Sequence, residues 1–570
     1  MAINTITTTD SNSKLLQELK KEVGVRNVAN SKRTLNRHCK GYRVGGGKAL
    51  AVVFPGTLEQ QWNCLKICLA ADMIIIMQAA NTSLTGGATP SGEYDREVII
   101  INTKRLDQIH LLNDGKQFVS FAGATLFSLE NKLSAVNRKP HSVIGSSCIG
   151  ASIVGGICNN SGGALIERGP AYTELALYAQ INRDGQLELV NDLGLELGND
   201  PRTIFRNLQN GNYDKNKSIP LNAKASDTEY HLEVRKVDLD TPSRYNSNKK
   251  CLNGASGCAG KLAVFAVRLD SFEAYDSEAT FYLGTNKPSV FTQLRRDMLT
   301  NFEPLPVSAE YMHKDCYDVA KKYGKDTLFL LDKFGTHRLP AIYTTYSFLA
   351  AAFDSIPFLP KKFLEKTLQL LSKFIPNLLP YRVEEFREKF DHYLILKMRD
   401  EGIEKAHKYL RPAAESKDLD YFECNEREAV LAGLHRYAAA GAAVRFADVH
   451  ADKVEGIISL DVALPRNETG WLEELPDHFA RMIEKRLYYG HFFCHVFHQD
   501  YLVRKGKNME AIKSEMLLNL RKRGAKYPAE HNVGHEYDAE VDLKNFYESC
   551  DPTNTLNPGV GGMSKKKHYA

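Results

Sequence analysis

Apolar residues along the chain fall into short runs with two periods, near 3.6 and 2, and these runs predict the elements. Residues 11–40 read as a helical lead, with Leu15, Leu16, Leu19 and Val23 at helical spacing beside Lys20, Lys21 and Arg26. ALAVVFPG (49–56) predicts an apolar strand ended by Pro-Gly, LEQQWNCLKICLAAD a helix, and MIIIMQAA a second buried strand. Strand, helix and strand at this spacing form an α/β unit. EVIIINT (97–103) predicts a third strand, and FVSFAGATLFSLENKL predicts strand, glycine turn and helix. LALYAQINRDGQLELVND (175–192) predicts a β-hairpin around Asp-Gly. The stretch 200–245 is polar and aperiodic, and AGKLAVFAVRLDSF (259–272) returns to strand.

A second domain is expected to begin near 275, where SEATFYLGTN precedes the helical SVFTQLRRDMLTNF. Its sheet is expected to include DTLFLLDKF and YLILKMR, on either side of an unusual stretch from 340 to 390. Further on, EREAVLAGLHRYAAAGAAV and IKSEMLLNLRKRG predict helices, EGIISLDVAL a strand, and RLYYGHFFCHVFHQDYLV is strand-like by its aromatic content. The tail DPTNTLNPG is turn-rich, and no internal repeat stands out.

Composition changes this picture little. A length of 570 residues exceeds what one hydrophobic core usually supports, so at least two domains are expected. The charge of +5 arises from 74 basic and 69 acidic residues, which does not imply a nucleic-acid partner. Eleven scattered cysteines point to a reducing compartment. The opening MAINTITTTDSNSK has no signal-peptide pattern, and no apolar stretch reaches the ~18 residues of a spanning helix.

Candidate chemistry starts with glycine. QAANTSLTGGATP (78–90) follows a buried strand and offers small residues and backbone amides that can approach a diphosphate without side-chain interference. Gly145, Gly150, Gly155, Gly156, Gly162 and Gly163 extend the pattern through HSVIGSSCIGASIVGGICNNSGG (141–163). Two such segments suit a large, flat, phosphate-bearing ligand, although ordinary tight turns use glycine too. No GxGxxG joins a strand to a helix here, so NAD is the weaker candidate. Cys148 and Cys158 read as small residues in a tight apolar segment, and any flavin is expected to be held noncovalently.

AVVFPGTLEQ, QAANTSLTGG, HSVIGSSCIGASIVGGICNNSGG and SGCAGKLAVFAVRL resemble the FAD-binding domain of the flavoproteins that include vanillyl-alcohol oxidase and the FAD-linked 2-hydroxyacid dehydrogenases. Along nearly its whole length the chain is similar to the membrane-associated, FAD-dependent D-lactate dehydrogenases of bacterial respiratory chains. The resemblance implies an α+β fold: a two-part FAD-binding domain of the vanillyl-alcohol oxidase type, an inserted α/β cap domain and a membrane-contact segment. It divides the chain into a helical lead (1–40), the FAD-binding domain (41–274), a substrate or cap domain (275–525) containing the membrane-contact segment (340–390), and a C-terminal return to the flavin domain (526–570). It implies that Ala79, Ala80, Asn81, Thr82, Ser83, Gly87 and Ala88 line the diphosphate and ribityl chain of FAD. It also implies that Gly145, Ser152 and Gly162 hold the isoalloxazine end and adenine side, and that Val264 touches FAD from the returning strand. Ser83 stands where the family often has glycine.

Histidines gather near the C-terminus: His491, His495 and His498 in GHFFCHVFHQDY, and His531 and His535 in PAEHNVGH. On an uninterrupted strand His491 and His495 face one way and His498 the other, unless a bulge or turn intervenes. AEHNVGH resembles the EHG motif of the FAD-linked 2-hydroxyacid dehydrogenases, with Asn532 in place of its glycine; this implies Glu530 as a site-holding carboxylate and His531 as the base. His491 and His498 match the family's histidines seven positions apart, but FFCHVF lacks the residues usual between them, so no metal is assigned. Oxidising a 2-hydroxy acid requires a cation for its carboxylate, a base for its hydroxyl proton and a hydride acceptor beside C2. In this scheme His498 and His491 orient the hydroxyl, and Arg466, in DVALPRN, is the expected carboxylate clamp. Two alternatives stand beside it. A histidine-metal hydrolase would explain the C-terminal clusters but leave both glycine segments idle. A soluble FAD-dependent oxidase or dehydrogenase would act on another 2-hydroxy acid.

KKFLEKTLQLLSKFIPNLLPYR (361–382) places Phe363, Leu364, Thr367, Leu368, Leu370, Leu371, Phe374, Ile375 and Leu378 at helical spacing, with Lys361, Lys362, Lys366, Gln369 and Lys373 on the other side. A basic amphipathic helix can lie on an anionic bilayer or pack on the protein's own core. FLAAAFDSIPFLP upstream adds apolar residues, and Pro357, Pro360, Pro376 and Pro380 divide the region into short pieces. With the resemblance, the expected partners are D-lactate, ubiquinone and anionic membrane lipids. No nucleic acid and no obligate protein partner is expected, and the implied location is peripheral, on the cytoplasmic face of the bacterial inner membrane.

Overall fold

In the computed structural model the described residues are 2–41, 43–141, 150–217, 219, 222–335, 346, 349, 353, 356 and 362–570, with side chains from residue 11 onward. Gly145, Cys148, Lys361, Pro357 and Pro360 lie outside them.

Among the described residues, the first half of the chain builds two main sheets beside two short two-stranded ones. Ala51–Val53, Val98–Asn102 and Ile74–Gln78 run parallel, with Val28–Ala29 added antiparallel at one edge. Their unbroken Ile and Val runs follow from burial on both faces, as parallel strands require. The helix Leu58–Ala70 covers one face, and Leu15, Leu19 and Val23 of the helix Ala2–Val23 join the same core. The second sheet is antiparallel, in the order Leu187–Asn191, Ala176–Ile181, Ala263–Asp270, Gln117–Phe121, Ile109–Leu112.

A seven-stranded antiparallel sheet follows, in the order Leu419–Glu423, Glu278–Thr285, His392–Arg399, Ser308–His313, Ile483–His491, Val496–Arg504, Val454–Ala463. Period-2 alternation sends Phe281 and Leu283 to one core and Tyr282 to another. The helices Pro288–Asn301, Glu401–Glu415 and Met509–Lys522 cover the first face; Lys314–Tyr323 and Glu426–Val449 cover the second. The tail then returns to the first sheet: Ile75 N–H donates to Thr555 O and Asn557 N–H to Ile75 O, both at 3.0 Å, beside Ile74–Gln78.

One expectation fails and two readings gain detail. DTLFLLDKF is not a strand but part of the helix Lys325–Phe334: a run of four apolar residues carries no period, and only Leu328 and Leu331, one turn apart, are buried. The stretch 200–245 contains the helix Pro201–Asn210, started by the Asp200 side chain accepting from Thr203 N–H and closed by Gly211 at φ +69°. RLYYGHFFCHVFHQDYLV is a hairpin of two strands, joined through a short turn at Phe492–Cys494 and His495 at φ +54°.

Candidate active site

That turn sets which histidines lie together. Reversing the chain brings His491 and His498 to one face of the sheet and sends His495 away from them, its Nδ1 bonded to Pro465 O at 2.8 Å. Cross-strand register adds to the same face: Glu310 lies opposite His491, and Asp461 opposite His498. The return segment brings Glu530 and His531 over it. The His498 ring stands between the other two, with centroids 5.3 Å from His491 and 5.7 Å from His531.

A chain of alternating charge runs through the site. Arg436, from the helix Glu426–Val449, pairs with Glu310 at 2.9 Å; Glu310 accepts from His491 Nδ1 at 2.5 Å; His491 Nε2 lies 3.1 Å from Glu530, and Glu530 pairs with the buried Arg244. Burial opposes the charge on each group, but neighbours of opposite sign prevail. His491 is pushed up to about 10 by its two carboxylates, and Glu310 and Glu530 are held at about 2. His491 is thus held as an imidazolium, with Nδ1–H on Glu310 and Nε2 beside Glu530.

The other end of the cluster differs. Asp461 Oδ2 accepts from His531 Nδ1 at 2.8 Å, from His531 N–H at 3.0 Å and from Glu530 N–H at 2.8 Å. His498 Nδ1 stands 3.2 Å from Asp461 Oδ1 without hydrogen-bond alignment. Burial would raise the Asp461 carboxyl, yet His531 and His498 hold it well below the usual carboxylate range. Burial lowers His498, whereas Asp461 outweighs burial at His531 and raises it. The donor atoms of Asp461, His498 and His531, and those of His491, His498 and Glu530, lie within 4.8 Å of one another. Such a set suits a divalent cation; among the described residues Asp461 Oδ2 is fully engaged, whereas the buried Asp461 Oδ1 accepts no hydrogen bond.

The glycine segments meet this cluster. A Cβ on Gly162 would fall 2.5 Å from the Glu530 carboxylate, and one on Gly87 would fall 3.3 Å from Asn532 Nδ2. Asn532 itself bonds Asn159 Oδ1 and caps Gly534 N–H, and His535 N–H donates to Thr85 O at 2.9 Å. Asn557 Nδ2 bridges Gly87 O and Ala259 O. Between Ala79, whose carbonyl accepts from Asn102, and Ala88, whose carbonyl accepts from Gln78, the loop is open. The backbone amides of Ala80, Asn81, Thr82 and Ser83 donate to no acceptor among the described residues, while Gly87 N–H turns back to Ser83 Oγ. Open amides on a small-residue loop fit a diphosphate. Ser152 caps the helix Ile153–Cys158 by accepting from Gly155 N–H, and Val264 packs in the core below.

Arg466 does not join the site. It is 5% exposed, and its guanidinium donates to Thr241 O, Thr241 Oγ1, Glu233 O and the Glu233 carboxylate, which removes it from the role of clamp. Sequence reasoning missed Asp461, Glu310, Arg244 and Arg436. It also missed Arg43, which donates to Ser459 Oγ at 2.9 Å and lies 3.7 Å from Asp500, within electrostatic reach of His531. The available signal was an acidic residue inside an otherwise apolar strand, as in ISLDVAL, where burial demands a partner.

The segment 362–382 is amphipathic in an unusual sense. The helix Phe363–Leu371 turns its buried positions Glu365 and, just beyond, Ser372 inward, and Glu365 pairs with Arg445 of the helix Glu426–Val449. Leu370, Leu371 and Phe374 point outward, at 56, 53 and 83% exposure. Among the described residues, no helix is long and apolar enough to cross a membrane.

These features define a class of protein. The structures of p-cresol methylhydroxylase with substrate bound (TM-score 0.59, 12% identity, 97% of each chain covered) and alkyldihydroxyacetonephosphate synthase (TM-score 0.58, 10% identity, 96% of this chain and 84% of the other) share the fold. The family described as "FAD binding domain" matches residues 49–188. The chain has an α+β fold with an FAD-binding domain of the vanillyl-alcohol oxidase type, and FAD is its cofactor. The family described as "D-lactate dehydrogenase, membrane binding" matches residues 280–569. Quinone-dependent D-lactate dehydrogenases of Escherichia coli (strain K12) and Haemophilus influenzae (strain ATCC 51907 / DSM 11121 / KW20 / Rd) are 49% identical over 568 residues and 50% identical over 559. The alignments cover 100% and 98% of this chain and 99% of each relative. The chain belongs to this family of membrane-binding, FAD-dependent D-lactate dehydrogenases.

Proposed function

We propose that the cluster around His531 oxidises D-lactate to pyruvate and that the enzyme, docked on anionic lipid at the cytoplasmic face of the inner membrane, delivers the electrons to ubiquinone. The observation that carries this reading is the contact of the histidine cluster with both glycine segments, at Glu530 against Gly162 and Asn532 against Gly87. In this reading the contact joins a base to a diphosphate cradle, an arrangement that a histidine-metal hydrolase has no use for.

FAD, when bound, supplies the two-electron acceptor. In this reading Ala79 to Ala88 hold its diphosphate, and Gly162 and the stretch around Ser152 admit its ring. His531 Nε2 takes the hydroxyl proton of D-lactate as C2 gives up its hydrogen with the bonding pair and the C–O bond becomes a carbonyl. His498, neutral and set between the other two rings, orients the hydroxyl. Glu530, fixed by Arg244 and His491, holds the imidazoles in place. Arg43 takes the role of carboxylate clamp in place of Arg466: it is close enough to act on His531 electrostatically, and its fork, which donates to Ser459 Oγ and Ala440 O, would exchange those contacts for the substrate carboxylate. The chain divides in this reading at 40, 274 and 525, with 340–390 serving membrane contact.

Outward-facing Leu370, Leu371 and Phe374, beside Lys366 and Lys373, suit insertion at an anionic interface. The test is D-lactate-dependent reduction of ubiquinone embedded in vesicles. Faster turnover and co-sedimentation with anionic than with neutral vesicles are expected at low salt. Equal turnover and binding with both would remove the anionic-lipid part of the reading, and failure to reduce quinone with D-lactate would remove its core.

A further inference from the structure

We infer that Asp461 is the positioning residue for the base, acting on D-lactate oxidation through His531 and not on the substrate; this rests on the reading of His531 given above. A general base needs one ring nitrogen free and aimed, and the other nitrogen decides both. Asp461 Oδ2 receives His531 Nδ1–H at 2.8 Å, which fixes the tautomer so that the lone pair sits on Nε2. The same oxygen receives the His531 and Glu530 backbone N–H groups at 3.0 and 2.8 Å. One atom therefore sets the ring and the peptide that carries it, leaving rotation about the remaining side-chain bonds little freedom.

Asp461 is itself buried in a paired strand. It lies on the strand Val454–Ala463, 6% exposed, opposite His498, and its carbonyl accepts Ala529 N–H at 3.1 Å. The base is thus carried by a return segment with little regular structure but held by a carboxylate on a strand of the large sheet. That division places the precision of the site on a rigid element. His531 keeps about one third of its side chain exposed, so that a substrate can reach the ring.

The test is a double-mutant cycle on holoenzyme, reading anaerobic flavin reduction by D-lactate in Asp461→Asn, His531→Ala and the double variant. Asp461→Asn is expected to keep FAD and substrate affinity and to slow the limiting reduction rate on the order of 10- to 100-fold, the usual cost of losing an outer carboxylate behind a functional histidine. The double variant should be no slower than His531→Ala, because a residue acting only through His531 has nothing left to act on. Additive effects, or a higher KM with an unchanged limiting rate, would overturn the inference. If Asp461→Asn does not fold, Asp461→Glu takes its place: the longer arm displaces the ring, so slow reduction with retained FAD is expected and a parental rate overturns the inference. A parental rate in His531→Ala would overturn both this inference and the assignment of the base. A slow His531→Ala beside a fast Asp461→Asn overturns this inference alone.

Discussion

Gly162 and Glu530 occupy the same space: the carboxylate of Glu530 stands where any side chain at 162 would begin, 2.5 Å from an ideal Cβ. The glycine of an N-terminal loop is therefore a condition for the C-terminal carboxylate, and through it for the pairing with Arg244 and His491.

Gly162→Ala should consequently disturb the chemistry. The added methyl group displaces Glu530 by about the distance at which misplacement costs ~100-fold in rate. Flavin reduction by D-lactate, measured by stopped flow, should fall by that order. A parental rate with FAD bound would show that Glu530 has no part in the site.

His531→Ala should retain FAD and slow reduction ~100-fold or more, the range of general base catalysis. A base works only when neutral, and Asp461 outweighs burial to raise His531 above the ordinary 6.5. The reduction rate should accordingly rise with pH through a limb above 6.5, and fall as His531 protonates on the acid side. A limb below 6.5, or none, would contradict the assignment.

The two arginines separate by assay. Arg43→Met should raise KM for D-lactate with little change in melting temperature, since Arg43 sits at the edge of the site. Arg466→Met should lower the melting temperature while leaving KM near the parental value, since it ties Thr241 and Glu233 in the interior. The opposite pattern would restore Arg466 as the clamp.

Much of this was legible beforehand where local signals agree. Asp-Gly between alternating segments gives the hairpin 176–191, and the isoleucine runs give the parallel strands. The helix Lys325–Phe334 was hidden because FLL adjacent to Leu328 offers no period. Glu530 and His531 were legible through their motif. Glu310 and Asp461 were not, because their roles come from register across strands distant in sequence, opposite His491 and His498. No local pattern encodes that pairing. Arg466 misled because an arginine after a strand end looks the same whether it meets a substrate or Glu233.

Membrane contact is tested on the outward face. Changing Leu370, Leu371 and Phe374 together to Asp should abolish sedimentation with anionic vesicles and quinone reduction in them, through lost apolar insertion and added negative charge. Reduction of a water-soluble dye with D-lactate should persist. Ile375, half-buried, is left out so that the fold is spared. Unchanged vesicle binding by folded protein would assign the membrane contact elsewhere.

Everything above requires that this chain, through its FAD, takes electrons from D-lactate. The visible absorption spectrum of the purified protein, recorded before and after anaerobic addition of D-lactate, tests it most directly. Flavin bands that bleach with D-lactate, with pyruvate formed in equal amount, are the predicted result; bands that D-lactate leaves unchanged in flavin-loaded protein would contradict it.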